Sequence, residues 1–111
     1  MFSVDEMMRA GCTTRRGLRF WEEKGLLGTV DRSPGGTRRY TVEQHRRVRI
    51  IAAAQFGSFD LETAKKMLDE WGPEAHEAIV VRLGTQIAMA EMLLAELPKP
   101  APIIEQQEYD L

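Results

Sequence analysis

Apolar residues recur at spacings of three and four in five stretches of the chain, each bounded by residues that start or stop helices. The first stretch carries Val4, Met7 and Met8 inward behind Ser3-Val4-Asp5-Glu6, a capping box in which the Ser3 hydroxyl takes the Glu6 amide. It is expected to end near Gly11 in a left-handed exit. Thr13 or Thr14 caps the second, about Arg15 to Lys24, where Leu18 and Trp21 share the inward face. Arg15 and Arg19, with Arg16 and Phe20, lie four apart on the opposite side. Gly25-Leu26-Leu27 breaks the pattern and sends two leucines to the core. Thr29 to Arg32 and Thr37 to Tyr40 then read as short strands around Ser33-Pro34-Gly35-Gly36, whose proline-glycine step suits a type II turn.

Thr41-Val42-Glu43-Gln44 is a second capping box and opens a third helix, to about Phe56, with Val48, Ile51, Ala52 and Phe56 inward. Its Arg46, Arg47 and Arg49 serve phosphates or solubility, and His45 leans inward as a packed side chain. After Gly57, the aromatic ring of Phe59 is expected to plug the core edge. Asp60 caps a fourth helix, Leu61 to about Trp71, with Leu61, Ala64, Met67, Leu68 and Trp71 on one side. Gly72-Pro73 stops and restarts the chain. The fifth helix, about Glu74 to Leu97, carries Val80, Leu83, Ile87, Ala90, Leu94 and Leu97 as a coiled-coil seam. A rod about 36 Å long would leave that seam wet, so it calls for a second copy in an antiparallel, two-fold pair. Met89 and Met92 flank it as adaptable packing. Residues 98–111, proline-rich then acidic, are expected to be an extended tail, with Ile103, Ile104 and Tyr109 as docking candidates.

The fold class predicted is mainly α: a winged helix-turn-helix of four helices and a two-stranded wing over 1–71, a dimerisation helix over 73–97, and the tail. Charge adds an asymmetry to this outline. The net charge of −2 conceals 11 Lys/Arg against 6 Asp/Glu up to Phe56, net +5, and 4 against 11 beyond it, net −7. A basic half joined to an acidic half fits a nucleic-acid face with a partner-facing remainder. The single cysteine, Cys12, excludes an internal disulfide and is read as a small apolar plug at the turn. No secretory signal opens the chain, and no apolar run is expected to reach the roughly 20 residues that span a bilayer, so a cytoplasmic location follows. No carboxylate pair, nucleophile–base set, phosphate loop or metal-ligand cluster stands out, which points away from an enzyme and from cofactors.

Two helices joined by a tight Gly-Cys-Thr turn make a helix-turn-helix, whose second helix offers its first residues to the major groove. Arginine there pairs bidentately with guanine or grips phosphate. The hairpin that follows repeats the charge with Arg32, Arg38 and Arg39, and has the length of a wing lying along phosphates.

Leu18-Arg19-Phe20-Trp21-Glu22, Gly25-Leu26-Leu27, Arg32 and Gly36-Thr37-Arg38-Arg39-Tyr40-Thr41 together resemble the signature of the MerR family of bacterial transcription regulators, over roughly residues 2 to 71. The resemblance implies a homodimer joined by antiparallel fifth helices on a pseudo-palindromic operator, which many relatives bend and untwist for polymerase. By position it gives Thr14, Arg15, Arg16, Arg19 and Phe20 to the groove, and Arg32, Arg38, Arg39 and Tyr40 to the wing. The chain departs from the family where Phe20-Trp21 replaces a tyrosine pair, where Thr37 replaces a common tyrosine, and in a loop after Gly57 one residue longer. It also carries neither sensor cysteines nor a ligand domain beyond the coil, which implies regulation without a metal or small-molecule effector. Two alternatives stand beside a regulator: an architectural DNA-bending protein such as a recombination directionality factor, and a protein-interaction module acting through the acidic coil and tail.

Overall fold

A computed structural model describes residues 1–28, 31–32 and 37–101. In chain order it contains α1 (Val4–Ala10), α2 (Arg15–Glu23), β1 (Asp31–Arg32), β2 (Arg38–Arg39), α3 (Val42–Phe56), α4 (Leu61–Asp69) and α5 (Pro73–Glu96). The four helices before α5 each start on a side-chain cap. The Ser3 and Thr41 boxes are closed in both directions, the Gly17 amide donates to Thr14 Oγ1 at 3.1 Å, and the Thr63 amide to Asp60 Oδ1 at 2.7 Å. Such caps satisfy amides that a helix leaves unpaired and are worth about 1 kcal/mol each. α5 has Pro73 at its start and no side-chain cap.

The core forms where α3 crosses the other helices. Met7, Leu18, Trp21, Leu26, Leu27, Val48, Ile51, Ala54, Ala64 and Leu68 are all buried in it, and Ile79 closes it from α5. Gly11 is held here by crowding. Its φ is −93°, not left-handed as expected, but a Cβ there would stand 2.6 Å from Val48 Cγ1 and 2.9 Å from Trp21. The left-handed residue is Cys12 (φ 48°), whose side chain is exposed; the expected apolar plug is corrected to a surface thiol at a tight turn. Gly25 has φ 76°, the left-handed step that stops α2 and turns the chain back to bury Leu26 and Leu27.

β1 and β2 form an antiparallel ladder with Asp31 opposite Arg39 and Arg32 opposite Arg38. The predicted strands were longer; Thr29, Val30 and the turn Ser33–Gly36 lie outside the described residues, as do residues 102–111 of the tail. Beyond the ladder Tyr40 pairs with Phe2 through both backbone bonds, 2.7 and 3.0 Å.

Three further expectations are corrected. Phe56 is 76% exposed because it turns away from the buried stripe of α3, on which Ile50 and Ala54 take the inward places given to Phe56 and Ala52. Leu97 is the C-cap of α5, with extended backbone, and Trp71 follows the end of α4. α5 is also long and apolar enough, by length and composition, to cross a bilayer, with an 18-residue window of mean hydropathy 1.5. Arg82, Gln86 and Glu91 interrupt the run in sequence, yet Ile, Val, Leu, Met and Ala carry its average.

Candidate nucleic-acid interface

α2 is sharply two-sided. Leu18 and Trp21 are buried, whereas Thr14, Arg15, Arg16, Arg19 and Phe20 are exposed along the opposite face. The first turn of every other helix holds an acid (Asp5 and Glu6, Glu43, Glu62, Glu74), which the helix dipole favours; α2 has none and places two arginines there. That arrangement costs folding stability and leaves a positive helix end in need of an anion. Asp5 reaches Arg15 at 3.6 Å, but both side chains are largely exposed, and such pairs contribute little. Lys24 Nζ sits 5.4 Å over the Phe20 ring and adds a cation at the C-terminal end of the helix, beside the exposed Glu23.

Buried and half-buried ties hold the end of the hairpin and the turn after this helix in place. The Tyr40 hydroxyl donates to Glu22 of α2. Gln44 uses its carbonyl in the α3 cap and donates Nε2 to the Leu27 carbonyl at 3.1 Å. Arg47 Nε donates to the Leu26 carbonyl at 2.6 Å. Leu26 and Leu27 are thereby held by two side chains of α3, and Arg39 stands exposed. Arg32 and Arg38 face each other in the ladder.

Several assignments change as a result. Tyr40 is fully buried, so its expected contact with DNA is corrected: the side chain bolts the hairpin to α2 and offers no surface. Arg47 is an internal clamp, Arg46 is chelated by Glu43 at 2.9 and 2.7 Å, and Arg49 is the exposed member of that set. The bonded Arg46 guanidinium holds the Glu43 carboxyl below the usual range. His45 stacks on Phe2 at 4.1 Å, the packed role expected of it. Past Gly57, Ser58 adopts a left-handed φ of 68°, and Phe59 lies under the Arg82 guanidinium at 4.1 Å, so the loop is closed by α5. Arg82 Nη1 also bonds the Gly57 carbonyl at 2.6 Å. Sequence spacing missed the Arg47 and Gln44 clamps; the polar residues on an inward-turning face of α3 were the available signal.

A reading helix braced against a basic hairpin defines a helix-turn-helix regulatory protein. Residues 2–71 match the MerR HTH family regulatory protein profile, and the chain belongs to that family. It is similar to the HTH-type transcriptional regulator CueR of Escherichia coli O6:H1 (strain CFT073), 28% identical over 97 residues, covering 86% of this chain and 72% of that protein. The likeness to CueR of Escherichia coli O157:H7 is 28% over 81 residues, covering 72% of this chain and 60% of that one. Among solved structures, the fold resembles HiNmlR, a MerR family regulator lacking the sensor domain, bound to promoter DNA. That match has a TM-score of 0.70 at 19% identity and covers 85% of this chain and 78% of that one.

Proposed function

We propose that this regulator is a homodimer that binds a pseudo-palindromic operator sequence-specifically and distorts it, acting without a small-molecule or metal effector. Residues 1–71 form the DNA-binding unit, 73–97 the dimerisation helix and 98–111 the tail. In each unit α2 lies in the major groove, with Arg15, Arg16 and Arg19 on base edges or phosphates and Thr14 and Phe20 beside them. The hairpin serves as the wing, with Arg32, Arg38 and Arg39 on the backbone. α5 pairs antiparallel with its copy through Val80, Leu83, Ile87, Ala90, Leu94 and Leu97. The observation that carries this reading is the arginine first turn of α2, which has no acid of its own and is tied by half-buried hydrogen bonds to the segment that carries the exposed Arg39. Support also comes from HiNmlR, which is described as bound to promoter DNA and lacking a sensor domain. A bacterial regulator of this kind works in the cytoplasm.

Selection of bound genomic fragments followed by footprinting tests it. One protected palindrome across a promoter is the expected result; tandem sites at an attachment locus would favour the architectural, recombinational role instead. Arg19→Ala should cost about 1–3 kcal/mol and relax preference at one base position. Arg39→Ala should weaken all sequences alike and flatten the salt slope by about 1. Equal behaviour of the two variants would overturn the division of labour.

A further inference from the structure

α5 leaves the first unit over the C-terminal end of α3. The joint ahead of it, Gly72, has extended backbone and gives the helix no side-chain cap. Past the joint Ile79 is buried in the core and Leu83 packs against it, but apolar contact alone is non-directional. Direction comes from Arg82 and Gln86, four apart on one face of α5. Arg82 Nη1 donates to the Gly57 carbonyl at 2.6 Å, and Gln86 Nε2 to the Phe56 carbonyl at 3.3 Å. Those carbonyls belong to the last residue of α3 and its cap, the negative end of the helix dipole, which a guanidinium suits. The same guanidinium covers the Phe59 ring at 4.1 Å. Its stem closes on Gly57, where a Cβ would stand 3.0 Å from Arg82 Cγ. Hydrogen bonds and a stacked cation have preferred angles, so together they restrict both roll and tilt of α5.

We propose that Arg82, seconded by Gln86, is a positioning residue: it fixes the angle between each DNA-binding unit and the paired rod, and thereby the half-site separation this regulator accepts. The proposal rests on the antiparallel dimer proposed above, in which two α5 helices join two such units. Small angles matter at that scale. A folded unit of about 70 residues has a radius of gyration of about 11 Å, so its far face stands about 20 Å from the joint. Turning each unit by about 5° moves its α2 by about 2 Å, and the two-fold axis doubles this to about one base-pair step of 3.4 Å. Half-sites one helical turn apart, about 34 Å, tolerate little of such a swing. Arg82 acts through the attitude of the unit, not by contact with a base.

The single cysteine supplies a ruler. Cys12 is exposed on the turn before α2, so a nitroxide placed on it in the full chain reports the separation of the two α2 helices by dipolar spin resonance. The native dimer should give one narrow distance. Arg82→Met keeps the stem against Gly57 but removes the hydrogen bond and the cation over Phe59, and should at least double the width of that distribution. An unchanged width and mean in Arg82→Met overturns the proposal and leaves the dimer intact. Arg82→Lys, which keeps a cation and a donor, should recover most of the native width; no recovery at all overturns the assignment. Absence of dipolar coupling in the native chain marks a monomer and sinks the dimer reading and this proposal together. Binding then reads the consequence. Duplexes selected by the native chain from a random pool about four helical turns long are remade with one base pair added or removed between the half-sites. Each step should cost the native chain at least about tenfold in affinity and Arg82→Met about threefold or less, because only a rigid joint forbids simultaneous engagement. Both should bind a single half-site equally. A variant that weakens every spacing and the single half-site alike overturns the proposal, since Arg82 would then serve the unit itself.

Discussion

The chain up to Trp71 and the helix after it differ in how they satisfy their own residues. The first unit hides Met7, Leu18, Val48, Ile51 and Tyr40 almost completely, and its helix starts are capped by its own side chains. In α5 only Ile79 is buried, whereas Val80, Ile87, Met92, Leu93 and Leu94 are each between 47% and 69% exposed. At roughly 25 cal/mol per Å², such residues represent several kcal/mol that an isolated helix leaves unrealised. The contrast teaches that apolar spacing has two uses, to close a fold on itself or to wait for another surface.

That contrast can be broken experimentally. Tyr40→Ala removes a buried ring that also holds the hairpin, and should destabilise the first unit by about 3–5 kcal/mol in denaturant titration. Ile87→Glu places like charges across the proposed seam. It should raise the dimer dissociation constant by at least about a hundredfold in sedimentation, while the melting of the first unit barely moves. A large loss of melting temperature would show instead that α5 belongs to that unit's own core. The smallest effect comes from acid. Hydrogen bonds from Ser3 and from the Thr63 amide hold the carboxyls of Glu6 and Asp60 below their usual range. A depressed folded value contributes stability above the ordinary carboxylate range, lost as pH falls through the folded value. Circular dichroism should therefore show fraying of α1 and α4 only as pH falls below the ordinary carboxylate range, with α5, which has no carboxylate cap, persisting.

Much of this was legible in spacing. Leu18 with Trp21, the Thr14 cap, and the Leu26-Leu27 drop all rest on local periodicity and capping chemistry, which act within a few residues. Tyr40 was misplaced because its hydroxyl partner, Glu22, lies 18 residues earlier, and periodicity carries no information about such pairs. Phe56 was misplaced for a different reason: eight residues on from Val48 it has rotated off the stripe that Ile50, Ile51 and Ala54 bury. The arginines of α2 were readable as an exposed row, whereas the clamps of Gln44 and Arg47 on the Leu26-Leu27 carbonyls depend on how α3 crosses that strand of chain.

Phe2 pairs with Tyr40 through both backbone bonds and stacks on His45. An affinity handle fused ahead of Met1 would thus pull on the root of the basic loop, two residues from its anchor. Binding constants measured on amino-terminally tagged material should differ from those of the untagged chain even though no arginine has been touched.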